Sequence, residues 1–323
     1  MRKLLVFPYN LQSSAFADFS HKIIDYDIIA FISDTSRFSI NSEKIKWYRH
    51  WRAGVDECDT ILLIDEPDYI GKYNEIIDYA LERKRTVYVQ DSIYKILDNI
   101  RKAHVINLIT EKKVTSHAWN NEANEIKIPV IAVMALGENS NKFYLQLMLY
   151  EAFQKFNYRI MLIGSSDLST FFGARNIPAF LFQNESFTRK ILYFNQYLRK
   201  QIEMENPDLV IIGCPGGIIP KNRYIHNYFG EIPLIVSKSA QIDIIFLMQQ
   251  FDYGRQASAE ICKYWEHYCS ANFGADRIYL INPERHINHS LDITENRYDK
   301  LRNSERQYIQ NVVKSIISYL GIG

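Results

Sequence analysis

Along the chain, short apolar runs alternate with longer stretches in which apolar residues return every three or four positions. The short runs predict strands at residues 3–8, 26–33, 60–64 and 86–89. Between them, residues 73–83 predict an amphipathic helix with Ile76, Ile77, Ala80 and Leu81 on one side. Residues 93–101 predict another. The second half repeats the alternation. A buried strand over 128–136 precedes a helix over 143–157 that is apolar nearly all round, so it should be covered on most sides. Strands follow at 159–163 and 208–212, and a loop is expected at 171–178. The helix over 188–205 carries Ile191, Phe194, Leu198 and Ile202 and is stopped by Asn206-Pro207. Further strands are expected at 234–236, 242–248 and 277–281, with helices over 258–270 and 305–320. Ser304 and Gln307 fit a capping box at the start of the last helix.

Strands separated by helical runs read as parallel sheets with crossover helices. The fold class is therefore α/β, with two doubly wound, mostly parallel sheets. Residues 1–125 form a Rossmann-like domain and residues 126–323 a P-loop-NTPase-like domain. The polar stretch 111–125 marks the boundary. At 323 residues the chain suits two such domains. Only 13 glycines and 9 prolines argue against linkers and disorder.

Net charge is +1, which gives no strong field for nucleic acid or an anionic membrane. The first apolar run stops at Pro8, too short for a secretory signal. The longest apolar run, 128–136, is too short to span a bilayer. Cys58, Cys214, Cys262 and Cys269 form no disulfide framework. These features predict a reduced, cytoplasmic protein.

The first domain lacks the dinucleotide fingerprint. Its first strand ends in Phe7-Pro8-Tyr9-Asn10, and bulky side chains there keep a pyrophosphate from the backbone. A scaffold or docking role fits it better. Residues 37–52 interleave Lys44, Lys46, Arg49 and His50 with Trp47, Tyr48 and Trp51. Such a pattern suits single-stranded nucleic acid, a peptide-docking surface, or a loop anchored by aromatics. Near-neutral charge and the lack of an RNA-binding signature favour the last.

The chemistry concentrates in the second domain. After the strand over 128–136 comes Gly137-Glu138-Asn139-Ser140-Asn141-Lys142, then a helix. The start of a helix carries partial positive charge and holds anions. Against a Walker A loop, Leu136 replaces the first glycine, Asn141 the second, and Phe143 the hydroxyl that would ligate Mg²⁺. The turn is a degenerate phosphate loop that suits an anion better than ATP hydrolysis. A plain strand–helix turn with a surface lysine is the competing reading. The strand over 208–212 ends in Gly213-Cys214-Pro215-Gly216-Gly217, where a nucleotide hydrolase would carry a carboxylate for the metal. A third strand ends in Gly164-Ser165-Ser166. Strand ends of a doubly wound sheet line one crevice, so Gly137, Gly164 and Gly213 belong to one candidate pocket. Gly173 and Arg175, on the loop over 171–178, complete the candidate ligand-binding set.

Other constellations are weaker. Cys262, Glu266 and Cys269 share a helix face, with His267, His286 and His289 nearby in sequence. They lack the close cysteine pair of structural zinc sites and read as small buried residues. Cys214 at a strand end is a possible nucleophile, but Pro215 removes an N–H donor and no histidine is placed to activate it. The polar stretch 282–303 has the length of a lid. No cofactor is identifiable.

Several second-domain motifs resemble the bacterial peptide maturation system proteins, encoded with ribosomally made peptide natural products and their tailoring enzymes. They are the run from Gly137 to Leu147, Phe172-Gly173 with Pro178-Ala179-Phe180, the run from Lys190 to Asn195, the run from Pro207 to Gly217, and Phe229-Gly230. Where that family's pattern has histidine, this chain has Arg175. The resemblance implies a role in peptide natural product biosynthesis, with a precursor peptide or tailoring enzyme as partner, and no assigned reaction. Together with the residues, it predicts binding of an anionic small molecule or carrier-linked group at the 137–142 turn. A non-catalytic adaptor is the alternative.

Overall fold

The computed structural model describes residues 1–10, 12–32, 45–109, 122–137, 140–219, 230–249, 259–281 and 295–322. The chain divides into two compact units, each built on a six-stranded, all-parallel sheet.

The first unit runs through β1 (Arg2–Phe7), α1 (Ser14–Asp18), β2 (Tyr26–Ile32), β3 (Lys46–Tyr48), α2 (Trp51–Glu57), β4 (Thr60–Leu63), α3 (Tyr73–Glu82), β5 (Thr86–Val89), α4 (Asp91–Ile96), α5 (Asn99–Lys102) and β6 (Ile106–Asn107). Strand order is β3-β2-β1-β4-β5-β6, that of a dinucleotide-binding sheet. Side chains alternate across the sheet. Leu5, Phe7, Ile61, Leu63, Val87 and Val89 form one core with Val55 of α2, Tyr73, Ile76 and Ile77 of α3, and Ile93 of α4. The expected helix over 93–101 is two short helices. Leu97 has extended backbone, and the Asp98 carboxylate caps the second by accepting from the Arg101 N–H. Tryptophan and tyrosine of the basic segment lie on β3 and α2; residues 33–44 are outside the described range.

The first unit also includes residues Asp167–Gly173, which in sequence fall between residues 166 and 174 of the second unit. Asp167–Phe172 form a short turn of helix that takes the first two residues of the loop expected at 171–178. Leu168, Phe171 and Phe172 are buried. Phe171 packs on Phe16 at 5.4 Å, on Tyr26 at 5.6 Å and on Tyr88 at 5.6 Å between ring centroids. Phe172 packs on Phe16 at 5.0 Å. With α1, this segment completes the packing of the first unit.

The second unit holds β7 (Val130–Ala135), α6 (Lys142–Gln154), β8 (Ile160–Gly164), β9 (Arg175–Asn176), α7 (Phe187–Glu205), β10 (Leu209–Gly213), α8 (Glu231–Ser239), β11 (Ile244–Met248), α9 (Ala259–Phe273), β12 (Arg277–Ile281) and, from Asp299 onward, α10 (Glu295–Leu320). Strand order is β12-β11-β7-β10-β8-β9. Strands β7, β10 and β11 are buried throughout, as their continuous apolar sequence requires. Helix α6 is covered on most sides: Phe143, Leu145, Leu147, Met148, Leu149, Ala152 and Phe153 are all buried.

Two sequence expectations fail here. Residues 234–236 lie in α8, because Ile232, Ile235, Val236 and Ser239 bury one helical face. Ser304 lies inside α10 rather than at its start. The α/β fold with two parallel sheets stands as expected.

Candidate functional site

In the second sheet β10 lies between β7 and β8. From β7 the chain leaves through α6 toward β8; from β10 it leaves through α8 to β11, beyond β7. The carboxyl ends of β7 and β10 therefore flank the point where the connections diverge, the usual ligand position in such sheets. Gly137, Gly213, Cys214, Gly216 and Gly217 stand there.

The loops after β7 and β10 touch. A Cβ on Gly217 would lie 2.7 Å from Gly137 Cα and 2.7 Å from Leu136 O. Ile218 N–H donates to Ala135 O and Ile219 N–H to Leu136 O. Gly216 has φ +76°, the left-handed region that glycine enters without strain. Close backbone approach therefore accounts for Gly217, and the turn for Gly216.

Asn141 begins α6 in left-handed geometry, φ 54° and ψ 36°. Asparagine tolerates this conformation better than most residues, so it fills the place of a loop glycine at a modest cost. The next residue, Lys142, is buried rather than on the surface, with 8% of its area exposed. Its amine donates to Gly216 O at 2.8 Å and lies 3.4 Å from Ser140 Oγ, also buried. Gly217 O accepts from the N–H of Gly230, the residue that starts α8. The Lys142 ammonium and the start of α8 thus contact adjacent carbonyls of the loop after β10. Glu231, in the first turn of α8, pairs with buried Lys190 at 2.7 Å.

Sequence reasoning missed Gln146, one turn beyond Lys142. It is fully buried. Its amide donates to Ile163 O at 2.9 Å and its oxygen accepts from the Ser165 N–H at 3.0 Å. It also fills the space beside Gly213, where a Cβ would stand 2.2 Å from its Oε1. The signal was present: Gln146 is the one strongly polar residue between Phe143 and Met148. It pins the end of β8, so Gly164 and Ser165 do join Gly213 around α6.

Other expected residues stand differently. Gly173 belongs to the first unit. Arg175, on the edge strand β9, is ion-paired to Glu205. Glu138 and Asn139 lie outside the described residues, as do His286, His289 and residues 282–294 of the lid candidate, whose remainder, 295–303, opens α10. Cys214 is buried, and its burial pushes the thiol up to about 12 despite the opposing Lys142 charge. A thiol held protonated at neutral pH is a poor nucleophile. Cys269 is pushed up to about 12 in the same way. Among the described residues no group of three histidine, cysteine, aspartate or glutamate side chains is placed to hold a metal.

No family profile and no curated protein matches the chain. Its fold is similar to that of a DUF1611 family protein from Anabaena variabilis, whose crystal structure aligns with a TM-score of 0.60 at 11% identity over 89% of each chain, a likeness of fold alone.

Proposed function

We propose that the second unit binds a small anionic ligand or carrier-linked group at the Gly137–Lys142 turn, in the maturation of a peptide natural product. The observation that carries this reading is the buried Lys142 ammonium, seated where α6 and α8 begin and where the β7 and β10 loops meet. Two helix starts and an ammonium make a position of positive potential. The motif resemblance described above supports the biosynthetic setting. Magnesium-dependent nucleotide hydrolysis fits poorly, because Gly213 and Cys214 offer no carboxylate and Phe143 no hydroxyl.

The test is a thermal-shift and calorimetric screen with inorganic phosphate, pyrophosphate, nucleotides and acyl-CoA. Stabilisation by one of them, abolished in Lys142→Ala, supports the reading; no response to any sinks it.

A second reading is a non-catalytic adaptor that docks a precursor peptide or tailoring enzyme. It draws on the α2–α3 surface, where Trp51 and Tyr79 meet at 5.1 Å beneath Arg52 and Arg83. Half-buried aromatic rings beside arginine are the usual anchors of a protein interface. Co-purification of a peptide or enzyme, lost in Trp51→Ala, would favour it.

A further inference from the structure

The second sheet ends at β12, whose sequence suits an interior position better than an edge. Among the described residues β11 is its only strand neighbour. After Arg277 the strand reads Ile-Tyr-Leu-Ile, without proline or further charge, and its register with β11 is unbroken. Open edges are normally blunted by lysine, proline or a bulge. A continuous apolar run belongs to a strand covered on both faces. Here Ile278, Tyr279, Leu280 and Ile281 are each only half-buried. Ile278 and Leu280 pack on the core of one face, and Tyr279 stacks on Phe246 at 5.0 Å on the other.

Backbone direction fixes what the open side offers. Arg277 N–H donates to Asp243 O, and Ile281 O accepts from Gln249 N–H, so residues 277, 279 and 281 turn toward β11. Ile278 and Leu280 then turn their N–H and C=O groups outward. Beside the strand, α10 carries one charge, Lys314, between Gln307 and Leu320. Its Tyr308 and Tyr319 are exposed, and the Arg277 guanidinium lies over the Tyr319 ring at 3.7 Å. Charge-poor surface with tyrosine and arginine is the composition of a protein interface.

We propose that the β12 edge is the two-fold interface of a homodimer, pairing antiparallel with β12 of a second copy about Tyr279. Ile278 of one copy then faces Leu280 of the other and exchanges both backbone bonds, once on each side of the axis. A lone peptide would satisfy those groups but leave both faces of the strand as bare as before. A second copy brings sheet and helices together and covers both faces. A net charge of +1 gives little repulsion between copies. The five residues of β12 at about 3.3 Å each, by three layers about 10 Å thick, give a patch of about 500 Å² per copy. The total of about 1,000 Å² is the floor for a specific interface, so the dimer is weak and concentration-dependent. It does not rest on the anion site.

Sedimentation velocity on the full chain, from about 1 to about 100 µM, should show monomer passing to dimer. Tyr279→Cys places two thiols across the axis with about 4.5 Å between Cα atoms, within disulfide reach. Mild oxidation should convert most of that variant to a covalent dimer and leave wild type uncross-linked. Leu280→Pro removes an outward donor and spares the bonds to β11, so dimerisation should weaken by about tenfold or more. Should Leu280→Pro unfold, Tyr319→Glu on the exposed side of α10 is read in its place, with the same loss expected. A monomer at every concentration overturns the proposal. So does a dimer that Tyr279→Cys fails to cross-link and that neither Leu280→Pro nor Tyr319→Glu weakens, since it would form on another face.

Discussion

The two units solve one architectural problem in opposite ways. Both are six-stranded parallel sheets with helical crossovers. In the first, the strand ends carry carboxylates and amides: Asn10 donates to Glu66, Gln90 to Gln12 and Asp167, and Asn107 to Asp91. In the second, the corresponding ends carry glycines, an asparagine in left-handed geometry and a buried ammonium. The first network is self-satisfied and negative in character, which fits poorly with a phosphate. The second brings backbone, helix starts and positive charge together. Fold alone would assign both sheets the same role; the residues at the strand ends separate them.

That contrast can be broken most forcefully at the aromatic seat. Phe171→Ala should destabilise the first unit by about 3–5 kcal/mol, the usual cost of emptying a buried phenylalanine site. Denaturant unfolding followed at both units should then show the first melting early.

Next comes the clamp of the second unit. Gly213→Ala places a methyl against the Gln146 amide and should cost about 1–3 kcal/mol as overpacking. Paired with Gln146→Ala, the cost should fall well short of additive in a double-mutant cycle. Strict additivity would separate Gln146 from Gly213.

A smaller effect concerns pH. The thiols of Cys58, Cys214 and Cys269 are each pushed up to about 12 by burial. An unfolded cysteine titrates near about 8.5. Above that the unfolded chain releases protons that the folded chain keeps. The stabilisation is therefore complete below about pH 8.5 and is lost as pH climbs toward 12. Urea midpoints taken across that window should fall, and less so in a Cys214→Ala, Cys269→Ala variant.

The least effect is expected at Arg175. Its partner Glu205 is only partly covered, so Arg175→Ala should cost no more than about 1 kcal/mol. Affinity for any anion found in the screen should stay within about twofold, since Arg175 is committed to an ion pair at the sheet edge. A large loss of affinity would return Arg175 to the site.

Much of this architecture was legible in the chain. The buried strands announce themselves because parallel strands covered on both faces are continuous apolar runs, as in Val130–Ala135 and Leu209–Gly213. Helix α7 was legible from the spacing of Phe194 and Leu198. Residues 234–236 misled because a short apolar run has no period of its own, and only the burial of Ile232 and Ser239 on the same face marks a helix. The glycines of the candidate site were easy to find and harder to interpret. Gly213 and Gly217 look made for a ligand, yet each answers first to a neighbour, Gln146 or Gly137. The contacts of Gln146 and of residues 167–173 were not legible because their partners are remote in sequence, and no local pattern encodes them.

The backbone-to-backbone seat of Gly217 on Gly137 has a consequence for how this chain can change. Neither loop can be remodelled alone, since even the smallest side chain at 217 is a wedge between them. Variation that retunes this end of the sheet must enter elsewhere, through the polar positions that lead into α6. In a saturation library, residue 217 would stand as a fixed point while its neighbours across the turn sample alternatives.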